Sequence, residues 1–197
     1  DSATDGVQTS GWYLYSVGDG SIDLIAFIHA CDADTLDLIW WAADPVIPSA
    51  NRVAEAWGGI HYQPGDEKGD GRLSVAGWMS PGTNKGAEGF IAIYENLGAQ
   101  RPERRAETII GSSRFSADWI WGHTMDTKGN IWAVGYTSGD LAGAPLGQGD
   151  AFLVKFDSQL ENPIYCKVGT QRNERLRGIA IDESGDVFVS GYTYGDW

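Results

Sequence analysis

The segment Ile131-Trp132-Ala133-Val134-Gly135-Tyr136-Thr137-Ser138-Gly139-Asp140 recurs almost position by position as Val187-Phe188-Val189-Ser190-Gly191-Tyr192-Thr193-Tyr194-Gly195-Asp196. A weaker copy is Leu73-Ser74-Val75-Ala76-Gly77-Trp78-Met79-Ser80, and a fainter one is Tyr13-Leu14-Tyr15-Ser16-Val17-Gly18-Asp19-Gly20. Aligned on Gly18, Gly77, Gly135 and Gly191, the copies are spaced 59, 58 and 56 residues apart. A period of some tens of residues marks a series of similar supersecondary units, and it takes precedence over any local pattern.

Two further elements keep step with the first. Phe27, Phe90 and Phe152 each sit in an apolar run that ends on an acid, Asp32, Glu95 or Asp157. Gly122-His123-Thr124-Met125-Asp126 and Gly178-Ile179-Ala180-Ile181-Asp182 precede the glycine strand, with Gly59-Ile60-His61-Tyr62 as a looser counterpart. Between the third and first elements lie Asp126-Thr127-Lys128-Gly129-Asn130 and Asp182-Glu183-Ser184-Gly185-Asp186, which have the composition of hairpin turns. The Asp carboxylate caps the amides beyond it and the Gly takes the positive φ of a tight connection. Leu38-Ile39-Trp40-Trp41 and Pro163-Ile164-Tyr165-Cys166-Lys167 are candidates for a fourth strand in each unit.

Leu24 to Ile28, Trp119 to Trp121, Ile131 to Tyr136 and Phe152 to Phe156 are apolar at consecutive positions, which predicts strands covered on both faces. Four-stranded antiparallel sheets, repeated in sequence and stacked face to face, are the blades of a β-propeller. The expected fold is therefore all-β, with approximate repeats over 12–72, 73–130, 131–186 and 187–197. Three blades and part of a fourth fall short of the 4 to 8 of a closed ring, so a portion of a longer propeller is expected.

The pattern G-I-A-x-D-x-x-G-x-V-x-V-x-G-Y-T over Gly178 to Thr193, with D-A-F-x-x-K-x-D over Asp150 to Asp157, resembles the SBBP type of β-propeller repeat. The resemblance is closest over 118–197 and looser over 53–95, and the first two units lack the Tyr-Thr signature. It implies a blade architecture of secreted or surface-attached proteins, with no chemistry common to the family and no catalytic residues to carry over.

Composition narrows the function classes. A formal charge of −13 argues against a binder of nucleic-acid phosphates, and no run approaches the ~18 apolar residues of a membrane span. The basic stretch Arg101 to Arg105 is interrupted by Glu103 and reads as a solvated loop or edge. The 27 glycines suit many tight turns. Cys31 and Cys166 lack metal-ligand spacing and read as small buried hydrophobes, with a disulfide between them left open.

Residues that carry chemistry are weakly patterned. His29, His61 and His123 have no zinc-site spacing, and the loop Asp66 to Gly71 lacks the calcium-hand pattern. Recurrence of Asp126 with Asp182, and of Asp32 with Glu95 and Asp157, favours turn roles, since a catalytic pair need not repeat in every unit. No cofactor, metal or catalytic residue is assigned. Of the nine tryptophans most are expected in the core; Trp40, Trp41 and Trp78 are the candidates for an interface or for stacking on sugars. The expected function is a non-catalytic structural or adhesion module of a secreted or cell-surface assembly, contacting other protein subunits. A lectin-like, carbohydrate-binding propeller is the alternative, and a glycan-active enzyme ranks third.

Overall fold

In a computed structural model the chain is described over 7–16, 22–31, 35, 38–43, 53–55, 58–65, 71–80, 86–97, 103–112 and 115–196, with side chains described at 35 and from 58 onward. The described residues form fourteen strands and no helix. The first eight are β1 (Val7–Ser16), β2 (Ile22–Cys31), β3 (Leu38–Ala43), β4 (Val53–Glu55), β5 (Ile60–Gln63), β6 (Arg72–Ser80), β7 (Glu88–Glu95) and β8 (Glu103–Ile110). They are followed by β9 (Asp118–Met125), β10 (Ile131–Thr137), β11 (Asp150–Phe156), β12 (Ile164–Val168), β13 (Glu174–Ile181) and β14 (Val187–Thr193).

Strands β9 to β12 make a four-stranded antiparallel sheet in sequence order. β5 to β8 pair in the same succession, and β13 pairs with β14. The fourth-strand candidates are realised as β3, which pairs with β2, and as β12, which pairs with β11. One join was not legible. β4 lies parallel to β2 at Leu24 and Val53 and antiparallel to β6, merging β1 to β8 into one eight-stranded sheet. The Arg101 to Arg105 stretch leads into β8, an edge strand whose Glu103, Arg104 and Arg105 are exposed.

The register repeats with the sequence. Gly135 lies opposite Phe152 and Gly77 opposite Phe90. In the first unit the residue opposite Phe27 is Gly11, so the glycine equivalent to Gly77 is Gly11 and not Gly18. The first interval is then longer than the other two, because Gly11-Trp12 matches Gly77-Trp78 while Gly18 follows the end of β1. A β-bulge recurs as well. Ile120 faces Gly135 and Gly122 faces Val134, leaving Trp121 as the extra residue; Leu176 faces Gly191 and Gly178 faces Ser190, leaving Arg177. A Cβ on Gly135 would stand 1.9 Å from the Trp119 carbonyl oxygen, and one on Gly191 would stand 2.0 Å from that of Arg175. Both bulges therefore need glycine across the strand.

The turn assignments hold in detail. Asp126 Oδ1 accepts the amides of Lys128 and Asn130, each at 2.9 Å, and Asp182 Oδ1 accepts those of Ser184 and Asp186 at the same distance. Gly129 and Gly185 take φ of 79° and 89° in these turns. Asp157 caps its own turn likewise, accepting from the amides of Gln159 and Glu161.

Consecutive apolar residues split between two layers. Ala76, Ile91 and Ile93 of the first sheet pack with Ile120, Ile131, Ala133, Phe152 and Val154 of the four-stranded sheet. Their neighbours Leu73, Val75, Phe90 and Ala92 form a second cluster on the opposite face. Strands β6 and β7 are thus covered on both sides, the arrangement that erases polar alternation. Outer strands are wetter, and Cys166 on β12 is an exposed free thiol, not the buried hydrophobe expected. Its strand is the edge of its sheet, with no further strand to cover it among the described residues.

Candidate functional site

A ladder of rings and guanidinium groups crosses the unit boundaries at one end of the sheets, where β9 and β13 begin and β6, β10 and β14 finish. Trp78 meets Trp119 at 5.9 Å between centroids; Trp119 in turn meets Trp121 edge-on at 5.4 Å and Tyr136 at 5.9 Å. In the next unit Arg175 and Arg177 occupy the positions of Trp119 and Trp121. Arg175 lies 4.8 Å from the Tyr136 ring and 5.8 Å from Trp119, and Arg177 lies 4.3 Å from Trp121. The bulges explain the geometry, because an extra residue turns Trp121 and Arg177 out of the strict two-residue alternation of a strand. Each cation–π contact contributes about 0.5–1 kcal/mol at an exposed site and more where it is dry. Arg177 continues to Tyr192 at 5.7 Å, and Tyr192 meets Tyr194 edge-on at 5.4 Å.

Buried acids beside the ladder fix the loops. Asp118 Oδ2 accepts from the Ser112 amide at 2.8 Å, the Ser112 hydroxyl at 2.7 Å and the Ser116 hydroxyl at 3.3 Å. At the equivalent position Glu174 accepts from the Thr170 amide and hydroxyl at 2.8 and 2.6 Å and from the Thr193 hydroxyl at 2.9 Å. Burial opposes ionisation of Glu174, yet the Thr170 and Thr193 donors outweigh it and hold its carboxyl below the ordinary range. The amides of these two acids bond back to the preceding unit, Asp118 to the Ala87 carbonyl at 2.8 Å and Glu174 to that of Gly149 at 3.0 Å. Asp150 forms a buried ion pair with Lys167 at 3.5 Å, and the Lys167 ammonium also donates to the carbonyls of Gly143 and Ala144.

The histidines are structural where they are described. His123 is buried between the sheets: its Nδ1 donates to the Gly58 carbonyl at 2.8 Å and its Nε2 accepts from the Ser74 hydroxyl at 2.9 Å. Nε2 also faces the Ser74 carbonyl at 3.2 Å; the Gly58 carbonyl, which can only accept, makes the shorter contact and favours the proton on Nδ1, so the Ser74 carbonyl gains a donor only when the ring is protonated. Burial drives its pKa down to about 4, against the raising effect of the Gly58 and Ser74 carbonyls. His61, half-buried, sits 3.3 Å from the Thr124 hydroxyl. Ser74 is fully buried, so this Ser–His pair is closed to any substrate. Among the described residues no group of three or more His, Cys, Asp or Glu could hold a metal ion.

Of the three candidate tryptophans, Trp78 is half-buried and belongs to the ladder. Trp40 and Trp41 lie in β3, opposite Ala30 and His29, and their side chains fall outside the described residues. So do the turn residues Asp66 to Asp70 and the side chain of His29. Sequence reasoning missed Trp119, Trp121, Arg175 and Arg177 as a set. The signal was present in the alignment of Asp118-Trp119-Ile120-Trp121-Gly122 with Glu174-Arg175-Leu176-Arg177-Gly178, where each tryptophan is exchanged for arginine. No family model matches the chain, and no curated protein matches it. The described fold is an all-β protein with four-stranded antiparallel sheets, and none of its helices could cross a membrane because it has none among the described residues.

Proposed function

We propose that this chain is a portion of a β-propeller serving as a non-catalytic structural or adhesion module in a secreted or cell-surface assembly, with the ladder end as its contact surface for protein partners. The observation that carries the reading is the ladder itself. Trp, Tyr and Arg are the residues that dominate binding energy at protein interfaces, and here they are presented by recurrent bulges across unit boundaries. Asp118, Glu174 and Asp150 beside them each hold a loop or an ion pair, and the two oxygens left without a partner, Asp118 Oδ1 and Asp150 Oδ1, are buried away from solvent, which favours a scaffold over acid–base chemistry. The repeated register, the apolar layers on both faces of β6 and β7, and the resemblance of Gly178 to Thr193 to SBBP repeats support the propeller part of the reading.

The test is a structure of the native assembly at a resolution that places side chains. Burial of Trp78, Trp119 and Tyr192 against another subunit is the expected result; a solvent-facing ladder end in an isolated ring with turnover of a glycan overturns it. A second reading, carbohydrate binding, is favoured by one specific observation: an aromatic ring follows the repeat glycine at Trp78, Tyr136 and Tyr192, all at the same end of the sheets.

A further inference from the structure

The sheets β5–β8 and β9–β12 meet across an apolar layer that polar side chains interrupt at one point. His123 of β9 stands there, in the position that Ile179 holds on β13. Its ring bonds run across the boundary, to the Gly58 carbonyl at 2.8 Å and to the Ser74 hydroxyl at 2.9 Å. His61 of β5 comes from the other side, 3.3 Å from the Thr124 hydroxyl, so two of the chain's three histidines lie at this boundary. The third, His29, is on β2. The next boundary, between β9–β12 and β13–β14, therefore has no imidazole, and Val134 is fully buried there.

Few charged side chains face His123 from the strands packed against it. Arg72 of β6 shares a side with Ser74, and Glu95 of β7 shares one with Ile91 and Ile93; the two bond each other at 3.2 Å. Asp118, at the other end of β9, is held by Ser112 and Ser116. His61 alone acts electrostatically on the His123 ring, and a charge on one opposes a charge on the other. A proton on His123 would let Nε2 donate to the Ser74 carbonyl at 3.2 Å, yet the loss of water outweighs both carbonyls and keeps the ring neutral while the sheets are closed. Parting the sheets returns the ring to water and to its ordinary basicity. Acid therefore favours the parted form, because only that form takes up the proton readily.

We propose that the boundary between β5–β8 and β9–β12 is an acid-sensitive joint: proton uptake by His123 parts these two sheets and divides the aromatic ladder, while β9–β12 and β13–β14 stay together. Trp78 and Trp119 belong to β6 and β9, so the rung between them crosses the same boundary. Opening the joint breaks the continuity of the ladder end and bares the apolar layer between the sheets. The joint acts in this way whatever the ladder end binds.

The experiment adds one thiol at a time to the full chain, Ile91→Cys at the joint and Val134→Cys at the next boundary, both at fully buried positions. Each variant is treated with dithiodipyridine, which reacts with thiols in acid. Labelling is read peptide by peptide by mass spectrometry, with the exposed Cys166 as internal reference. Between pH 6.5 and 4.5 the labelling of Ile91→Cys is expected to rise by about tenfold per pH unit, the slope of one proton bound on opening, and more steeply where His61 joins. Val134→Cys stays protected over the same range. His123→Gln keeps a donor for the Gly58 carbonyl and an acceptor for Ser74 but does not titrate, and in it the total rise at Ile91→Cys shrinks to severalfold. Should that variant fail to fold, the ring-proton resonances of His123 in the parent chain are expected to titrate over the pH range in which Ile91→Cys becomes labelled. Titration of the ring without labelling overturns the proposal. Equal rises at Ile91→Cys and Val134→Cys mark unfolding of the whole chain and overturn it too, as do flat labelling down to pH 4.5 or an unaltered slope in His123→Gln.

Discussion

His123 stands where Ile179 stands in the following unit and Ile60 in the preceding one, and Ser74 stands where Trp132 and Phe188 do. The two departures from the repeat compensate each other: a small hydroxyl makes room for an imidazole from the neighbouring sheet and donates to it at 2.9 Å. A pH dependence follows from burial. The ring's pKa falls from 6.5 to about 4 on folding, so above 6.5 it is neutral in both states and its contribution is complete. As pH drops from 6.5 toward 4 the unfolded chain takes up a proton that the folded ring refuses, and stability falls by on the order of 3 kcal/mol. Burial of His61 adds a loss of the same sign. Urea titrations at pH 7.5 and 4.5 are expected to differ markedly for the parent chain and much less for His123→Leu. That variant is itself weaker at pH 7.5 by about 1–3 kcal/mol, because the Gly58 carbonyl loses its donor. The carboxylates give a separate window. Asp126, opposed by burial but held down by Asn130 and Trp132 hydrogen bonds, contributes above its ordinary value and is lost as pH falls through and below about 4.

At the scale of elements, the bulged strand and its opposing glycine act as one device. Gly135→Ala drives a methyl into the Trp119 carbonyl and the Phe152 ring, whose nearest atoms lie 1.9 and 2.9 Å from the added Cβ. The bulge must straighten or the phenylalanine must leave, and a loss of about 2–4 kcal/mol is expected by chemical denaturation. Gly191→Ala meets the Arg175 carbonyl, at 2.0 Å from its oxygen, and the Leu176 Cα at 2.9 Å, backbone atoms of a hairpin with more open surroundings. It is expected to cost less stability yet to shift the Arg175 and Arg177 resonances, which separates the packing role of the glycine from its role in aiming side chains. The turns grade similarly. Asp126 accepts from two amides, from Asn130 Nδ2 and from Trp132 Nε1, whereas the exposed Asp182 accepts from two amides. Asp126→Ala should therefore cost about 1–2 kcal/mol and Asp182→Ala about half as much, by the same denaturation measurement.

Across the whole molecule, burial declines from the middle sheets to β14. Ala133 and Val134 of β10 are fully buried, while Val189 of β14 is 44% exposed and Phe188 is 59% exposed. β14 pairs with β13 alone among the described residues, so it presents a row of backbone donors and acceptors together with apolar side chains. Such an edge is a template for pairing with other chains. Light scattering of the isolated chain should show self-association that Val189→Lys suppresses, with little change in melting temperature because the position is open. No suppression by the charge would show that association runs through another surface.

The sequence by itself determined the repeat, the strand content, the hairpin turns and the layers covered on both faces. These are properties of local chemistry: Asp and Gly at fixed offsets specify a turn, and consecutive apolar residues require cover on both sides of a strand. Even so, the sequence reading places the first unit seven residues out of register, because Gly18 resembles Gly77 and nothing local distinguishes it from Gly11, which only the pairing with Phe27 reveals. Tertiary structure alone decided that β4 joins two units into one sheet, that Cys166 lies on an exposed edge, and that Trp121 and Arg177 are the extra residues of equivalent bulges. Neither partner of a contact such as Arg177 on Trp121, 56 residues apart, carries a mark of the other. Their meeting depends on the stacking of one sheet on the next, a free energy summed over many apolar contacts and written in no single segment.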